Sequence, residues 1–185
     1  SDEKVLIPAL ARVRRSVPGL RLVLVPHEPA GYDFVGLGRR LAANGWTPVL
    51  LGKAGAVHGV DAILVDRVGV LADLYGLASV AYVGGGFHAR GFRKRGLHSV
   101  LEPAAAGVPV LMGPRHEGSL HATRLLAAGA ARVVADADSL AHALREWLDP
   151  RGKNEDPGRH AMDYIENHRG SAGRTADLIG QFLPQ

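Results

Sequence analysis

The chain has 185 residues, with 22 Lys+Arg against 18 Asp+Glu, giving a formal charge of +4 with histidine neutral. At 46% hydrophobic and 22% charged residues it reads as one globular domain, which excludes collagenous, coiled-coil and wholly disordered chains. The lack of cysteine excludes a disulfide framework, a thiolate-bound zinc and a cysteine nucleophile, and no apolar run reaches the ~18 residues that cross a bilayer, so a soluble, unexported chain is expected.

The first element predicted is a helix over 3–17, with Val5, Leu6, Leu10 and Val13 on one face. Strands follow at 22–25, 48–51, 62–65, 80–83, 108–111 and 132–135, mostly continuous aliphatic runs, as strands buried on both faces require. Between them, helical spacing predicts helices over 33–44, 70–77, 100–107, 119–128 and 139–148. Asn44-Gly45 and Gly107 read as helix stops, and Asp138-Ser139 as an N-cap. Strand and helix in alternation mean an α/β fold with a doubly wound parallel sheet and right-handed crossovers. The many glycines (24) and few aromatics (5%) suit such a sheet, with tight turns and an aliphatic core. The polar, Pro- and Gly-rich stretch 149–158 ends this unit, so residues 1–150 form the α/β domain and 151–185 a linker with helical segments at 159–166 and 172–183. A domain of this class normally begins with a strand, so the opening helix is read as the edge of a piece of a longer protein.

In an open parallel sheet, ligands bind at the carboxyl ends of the strands. Four strand exits here are polar or glycine-rich: Pro26-His27-Glu28, Asp66-Arg67-Val68-Gly69, Gly84-Gly85-Gly86 and Gly113-Pro114-Arg115. Glycines let a backbone approach a ligand closely, and the helix after His98-Ser99 would offer free amides and a favourable dipole to an anion. Glu102, in that helix's first turns, suits hydrogen bonds from ribose hydroxyls. Taken alone, the triple glycine does not distinguish a bare turn from a ligand loop, nor does His27 distinguish a capping residue from a ligand contact.

The stretches 66–75 (DRVGVLADLY), 81–87 (AYVGGGF), 97–104 (LHSVLEPA) and 107–114 (GVPVLMGP) resemble the C-terminal half of 3-deoxy-D-manno-octulosonic acid (Kdo) transferases, GT-B glycosyltransferases of lipopolysaccharide synthesis. The likeness runs from the opening helix to 170–175 (GSAGRT), essentially all of this chain but about half of a family member. It implies a Rossmann-like domain that binds the nucleotide sugar CMP-Kdo, the donor in transfer to a lipid A precursor, with inversion and without metal or cofactor. By position, Pro26, His27, Glu28, Val68 and Gly69 should flank cytosine or phosphate, Gly84, Gly85, Gly86, His98 and Ser99 should face phosphate and sugar, and Glu102 should bind ribose. The general base belongs to the N-terminal half, so no catalytic residue is assigned here. The partners implied are that half and an anionic lipid acceptor, at the cytoplasmic face of the inner membrane.

Three departures stand beside the likeness, the first being His27, where many members carry an arginine after the proline. Ser99 replaces the family's usual asparagine, an amide with two donors, by a hydroxyl with one. Residues 88–97 form a longer loop carrying Arg90, Arg93, Lys94 and Arg95, a cluster that reads either as a solvated loop or as contacts to donor phosphate and carboxylate or to lipid phosphates. Only Phe92 is interleaved for base stacking, so nucleic acid is not expected as a partner. Other classes remain open to the same residues: another GT-B transferase, a UDP-sugar epimerase, or a non-catalytic interaction module.

Overall fold

The computed structural model describes residues 2–56, 58–87, 96–149 and 156–182. In chain order the elements are α1 (Glu3–Arg14), β1 (Leu22–Leu24), α2 (Phe34–Ala42), β2 (Pro48–Leu50), a 3-10 turn over Leu51–Ala56, β3 (Ala62–Leu64), α3 (Leu71–Tyr75), β4 (Ala81–Val83), α4 (Leu101–Ala105), β5 (Val110–Met112), α5 (Leu120–Ala127), β6 (Ala131–Val133) and α6 (Ala137–Leu148). Helices α7 (Pro157–His168) and α8 (Ser171–Gly180) close the chain. Every predicted strand and helix is present, and the 3-10 turn is the addition.

The ends differ from expectation for local reasons. Helix α6 begins earlier because Asp136, not Asp138, is its N-cap; Ser139 is the third helical residue and bonds back, completing a capping box. Strand β5 starts late because the Val108 N–H is spent on the Pro103 carbonyl (3.0 Å), closing α4, and Pro109 has no N–H to give. Gly107, at φ 72°, does end α4 as expected.

All strand pairs are parallel, but the ladders form two three-stranded sheets, β1-β3-β2 and β4-β5-β6, with no ladder between β1 and β4 among the described residues. One continuous sheet was expected. Side chains join the two instead, with Leu22 and Leu24 of β1 and Tyr82 of β4 packed on the same cluster as Leu37, Leu41, Leu111 and Leu140. Helix α1 packs along α6 over that cluster.

Helices cover both faces. On β5, Leu111 enters the cluster under α1, α2 and α6, while Val110 and Met112, pointing the other way, join Val100, Ala104, Leu125 and Tyr164 under α4, α5 and α7. All three β5 residues are buried, which is why this strand reads as a continuous apolar run. Each large aliphatic side chain removed from water contributes roughly 1.5–3 kcal/mol. Helix α7 docks on α4 by close backbone approach, since a Cβ on Gly158 would stand 2.5 Å from the Gly107 carbonyl oxygen. Helix α8 leaves Leu178 and Ile179 exposed, as is Phe182 just beyond it. Among the described residues no helix is long and apolar enough to cross a membrane.

Candidate functional site

The carboxyl ends of β1 and β4 bring two predicted residues together. His27, beyond β1, and His98, ahead of α4, stack with ring centroids 4.2 Å apart and 26° between planes. Pro26 is buried and holds the start of that exit, while His27 and Glu28 are exposed. The His98 N–H donates to the Gly84 carbonyl at 3.1 Å, so the returning chain is laid directly against the triple glycine.

Each glycine of that exit answers to its own neighbours. Gly85, at φ 98°, would place a Cβ 2.4 Å from the Gly96 carbonyl oxygen, and a Cβ on Gly86 would stand 2.6 Å from the Gly113 Cα. The Gly86 carbonyl accepts from the Arg115 N–H at 3.2 Å, which ties the β4 and β5 exits together. Gly84 alone among the three would take a Cβ without a clash: the nearest atoms would be His98 Cδ2 at 3.7 Å and Asp2 Oδ2 at 3.9 Å, ordinary van der Waals distances. The triple glycine thus serves close packing at two positions, while at the third a small side chain would fit against His98 and Asp2.

Glu102 is exposed in the first turn of α4 and Ser99 is exposed just before it. The Tyr75 phenol of α3 lies close enough that burial, and then the Glu102 charge, push its pKa up. Helix α4 itself is only five residues long, and Val100 caps it without a side-chain bond, so the dipole contribution expected of a longer helix is small. Val68, 80% exposed, and Gly69, which faces open space, stand at the β3 exit; no hydrogen bond or ring contact among the described residues joins them to the histidine pair. Arg90, Arg93, Lys94 and Arg95 lie outside the described residues.

Two residues here were not singled out from the sequence. Asp2, at the foot of α1, accepts from the Tyr82 phenol (2.9 Å) and from the Gly85 N–H (3.3 Å). Tyr82 also stacks on Phe87, centroids 6.5 Å apart, and its phenol is held far above its usual range by burial first and the Asp2 carboxylate second. The available signals were a tyrosine in an otherwise aliphatic strand and an acidic pair opening a helix. The next residue, Glu3, accepts from the Tyr32 hydroxyl and from Arg40 (2.6 Å), fixing the same helix start to the α2 side.

This rim brings together two stacked imidazoles, the glycine exit of β4 and, in the first turn of α4, an exposed carboxylate. Two hollows lie elsewhere among the described residues. One of about 440 Å³ is lined by Ala11, Arg14, Arg15, Asn44 and Gly45, and one of about 350 Å³ runs over Phe34, Val35 and Leu50; both are open dips lacking this combination of groups.

No protein-family model matches the chain. It is 28% identical over 178 residues to a 3-deoxy-D-manno-octulosonic acid transferase of Bordetella pertussis, covering 96% of this chain and 40% of that protein. It is 32% identical over 186 residues to the one from Chlamydophila psittaci, covering 99% of this chain and 40% of that protein. The chain therefore spans about two fifths of the length of these curated relatives. Among solved structures, the C-terminal CMP-Kdo binding domain of WaaA from Acinetobacter baumannii superposes with a TM-score of 0.70 at 23% identity, covering 88% of this chain and 82% of that one. WaaG, a glycosyltransferase involved in lipopolysaccharide biosynthesis, gives a TM-score of 0.50 at 17% identity, covering 94% of this chain and 51% of that one. The α/β fold is thus that of a GT-B C-terminal domain.

Proposed function

The chain is a relative of the 3-deoxy-D-manno-octulosonic acid transferases, and from that kinship we propose that it is the donor-binding half of such an enzyme, holding the nucleotide of CMP-Kdo on the rim between β1 and β4. The observation that carries the reading is the His27–His98 stack beside the glycine exit of β4, at the strand ends where α/β sheets take ligands. In this reading the ring pair supports the base or phosphate, Gly84 admits the phosphate closely, and Glu102 accepts hydrogen bonds from the ribose.

The reaction needs this half to hold the leaving group. A hydroxyl oxygen of the acceptor bonds to the anomeric carbon from the face opposite CMP, the bond from that carbon to the phosphate oxygen breaks, and CMP departs with the electron pair. The hydroxyl proton goes to a base in the other half of the enzyme. What the rim contributes is positioning, and neutralisation of charge that grows on the phosphate oxygen as the bond breaks. No metal or cofactor is required of this half. The acceptor is an anionic lipid precursor, and the full-length enzyme works at the cytoplasmic face of the inner membrane.

Calorimetric titration of the chain with CMP, against CDP, UMP and UDP, tests the reading. Saturable CMP binding with the uridine nucleotides weaker supports it. A preference for UDP would instead favour a UDP-sugar enzyme, and no nucleotide binding at all would favour an interaction module.

A further inference from the structure

Helix α4 carries Glu102 and is led in by His98 and Ser99, yet little in its own sequence holds it in shape. It has five residues, and its N-cap Val100 supplies no side-chain bond. The Ala104 N–H reaches the Val100 carbonyl only at 3.4 Å, and the Ala106 N–H is split between the carbonyls of Glu102 (3.3 Å) and Pro103 (3.1 Å). A helix this short is not stable on its own. The element packed most extensively on it is α7, from beyond the linker, and next comes α3, which has no buried residue. We propose that α7 is a splint for α4, and that Asp156 and Gly158 at the start of α7 are positioning residues, which set where Glu102, Ser99 and His98 stand for the nucleotide. The proposal rests on the nucleotide-donor reading given above and assigns part of that site's geometry to a helix that supplies none of its groups.

Helix α7 has the anchors a splint needs. Asp156 caps it by accepting from the Arg159 N–H at 3.1 Å, and Pro157 fits its first position. Tyr164 is buried, and its hydroxyl shares a hydrogen bond with His121 Nδ1 of α5 at 2.7 Å, so the middle of α7 is tied to a second helix. Toward α4, Ala161 and Tyr164 join Val100 and Ala104 in one buried cluster. At the C-terminal end of α4 the fit is by backbone: a Cβ on Gly158 would stand 2.5 Å from the Gly107 carbonyl oxygen, and one on Gly107 would stand 2.9 Å from Met162 Sδ. A side chain at 158 therefore pushes the two helices apart, because the carbonyl it meets cannot rotate away. With only five residues in α4, a shift at Gly107 reaches Glu102 and, through Val100, the His98-Ser99 lead-in.

The test uses the full 185-residue chain, with CMP affinity from calorimetry, the urea midpoint from circular dichroism, and the Tyr75 phenol from ultraviolet titration referenced to Tyr75→Phe. Gly158→Ala is expected to weaken CMP binding about tenfold, and Asp156→Ala, which removes the cap, about threefold, while Asp156→Asn, which keeps an acceptor, stays near wild type. Asp61→Ala, in the other sheet, is the control: it lowers the urea midpoint and leaves CMP affinity at the wild-type value. Tyr75 feels both burial and the Glu102 charge, so a displaced α4 shifts its titration in Gly158→Ala, and an unmoved titration overturns the splint. Wild-type affinity in Gly158→Ala, or a loss in Asp61→Ala as large as in Gly158→Ala, also overturns it and leaves the nucleotide reading standing. If Gly158→Ala does not fold, the Asp156 pair decides: equal CMP affinities in the alanine and asparagine variants overturn the splint, and a gap of about threefold supports it. A wild-type chain that binds no CMP overturns the donor reading and this proposal together.

Discussion

His27 and His98 stack at 4.2 Å although one follows β1 and the other leads into α4, so the pair joins two sheets that share no backbone ladder among the described residues. Stacking on a nucleotide base is worth on the order of 1–3 kcal/mol per aromatic group, so His98→Ala is expected to weaken CMP binding about tenfold. The urea midpoint should change little, because His27 is exposed and His98 only half-buried. Since the rings act as a unit, the double variant should fall short of the product of the two single effects in calorimetric titration.

Glu102→Ala should weaken CMP binding while leaving the fold intact, because the side chain is exposed and takes no part in the core. It carries a second readout. Burial is the larger cause of the raised Tyr75 pKa and Glu102 the smaller, so removing the carboxylate should let Tyr75 ionise at lower pH, visible in an ultraviolet absorbance titration. If the titration moves and CMP binding does not, Glu102 is not a ligand contact.

The Gly86–Gly113 approach should tolerate no side chain. A Cβ at residue 86 would stand 2.6 Å from the Gly113 backbone, which cannot rotate away, so Gly86→Ala and Gly113→Ala should each cost about 2–3 kcal/mol in urea unfolding. Gly69→Ala, with open space around it but φ 85°, should cost only about 1 kcal/mol of backbone strain.

Asp61 is the buried charge of the first sheet. It accepts from Arg14 and from the Thr47 N–H (2.7 Å), and Arg14 lies over the Trp46 ring at 4.8 Å. Asp61→Ala strands both donors and should cost about 2 kcal/mol, whereas Asp61→Asn keeps an acceptor and should cost less, as measured by thermal and urea unfolding.

The bidentate pair of Arg132 on β6 with Glu146 on α6 gives a pH signature. The hydrogen bonds from Arg132 hold the Glu146 carboxyl below its ordinary range. A depressed folded pKa stabilises at neutral pH and is lost as the pH falls through the carboxylate range to the folded value. Both side chains are well exposed, so the effect is screened: Glu146→Gln should cost about 0.5 kcal/mol at pH 7, the difference from wild type vanishing in acid.

Much of the architecture was legible because aliphatic runs, helical spacing and glycine stops are local signals. Strands β1, β2 and β3 begin where their apolar runs begin, and Asn44-Gly45 does close α2, with Gly45 at φ 86°. The break between β1 and β4 was not legible, because a ladder depends on how two distant strands meet and not on either sequence. The capping residue of α6 was misplaced for a subtler reason: Asp136 and Asp138 are equally good caps, and only the return bond of Ser139 selects between them. At the site, His27 and His98 could be nominated from their strand exits, but their mutual contact spans 71 positions (98 − 27) and appears only in the folded chain. Asp2 offered only the acidic pair that opens α1, and its contacts Tyr82 and Gly85 lie 80 and 83 residues away.

The unlaced edge between β1 and β4 makes the stiffness of the molecule conditional on what sits above it. Across the β1–β3, β3–β2, β4–β5 and β5–β6 pairs, backbone bonds resist sliding. Across this one edge, cohesion comes from side chains, with the imidazole pair at its rim. A molecule that grips both rings therefore laces the gap from outside, and its binding free energy, RT ln(1 + [L]/Kd), becomes resistance to shear between the two halves. Occupancy and rigidity rise together, so a filled rim presents whatever faces it with a firmer platform than an empty one.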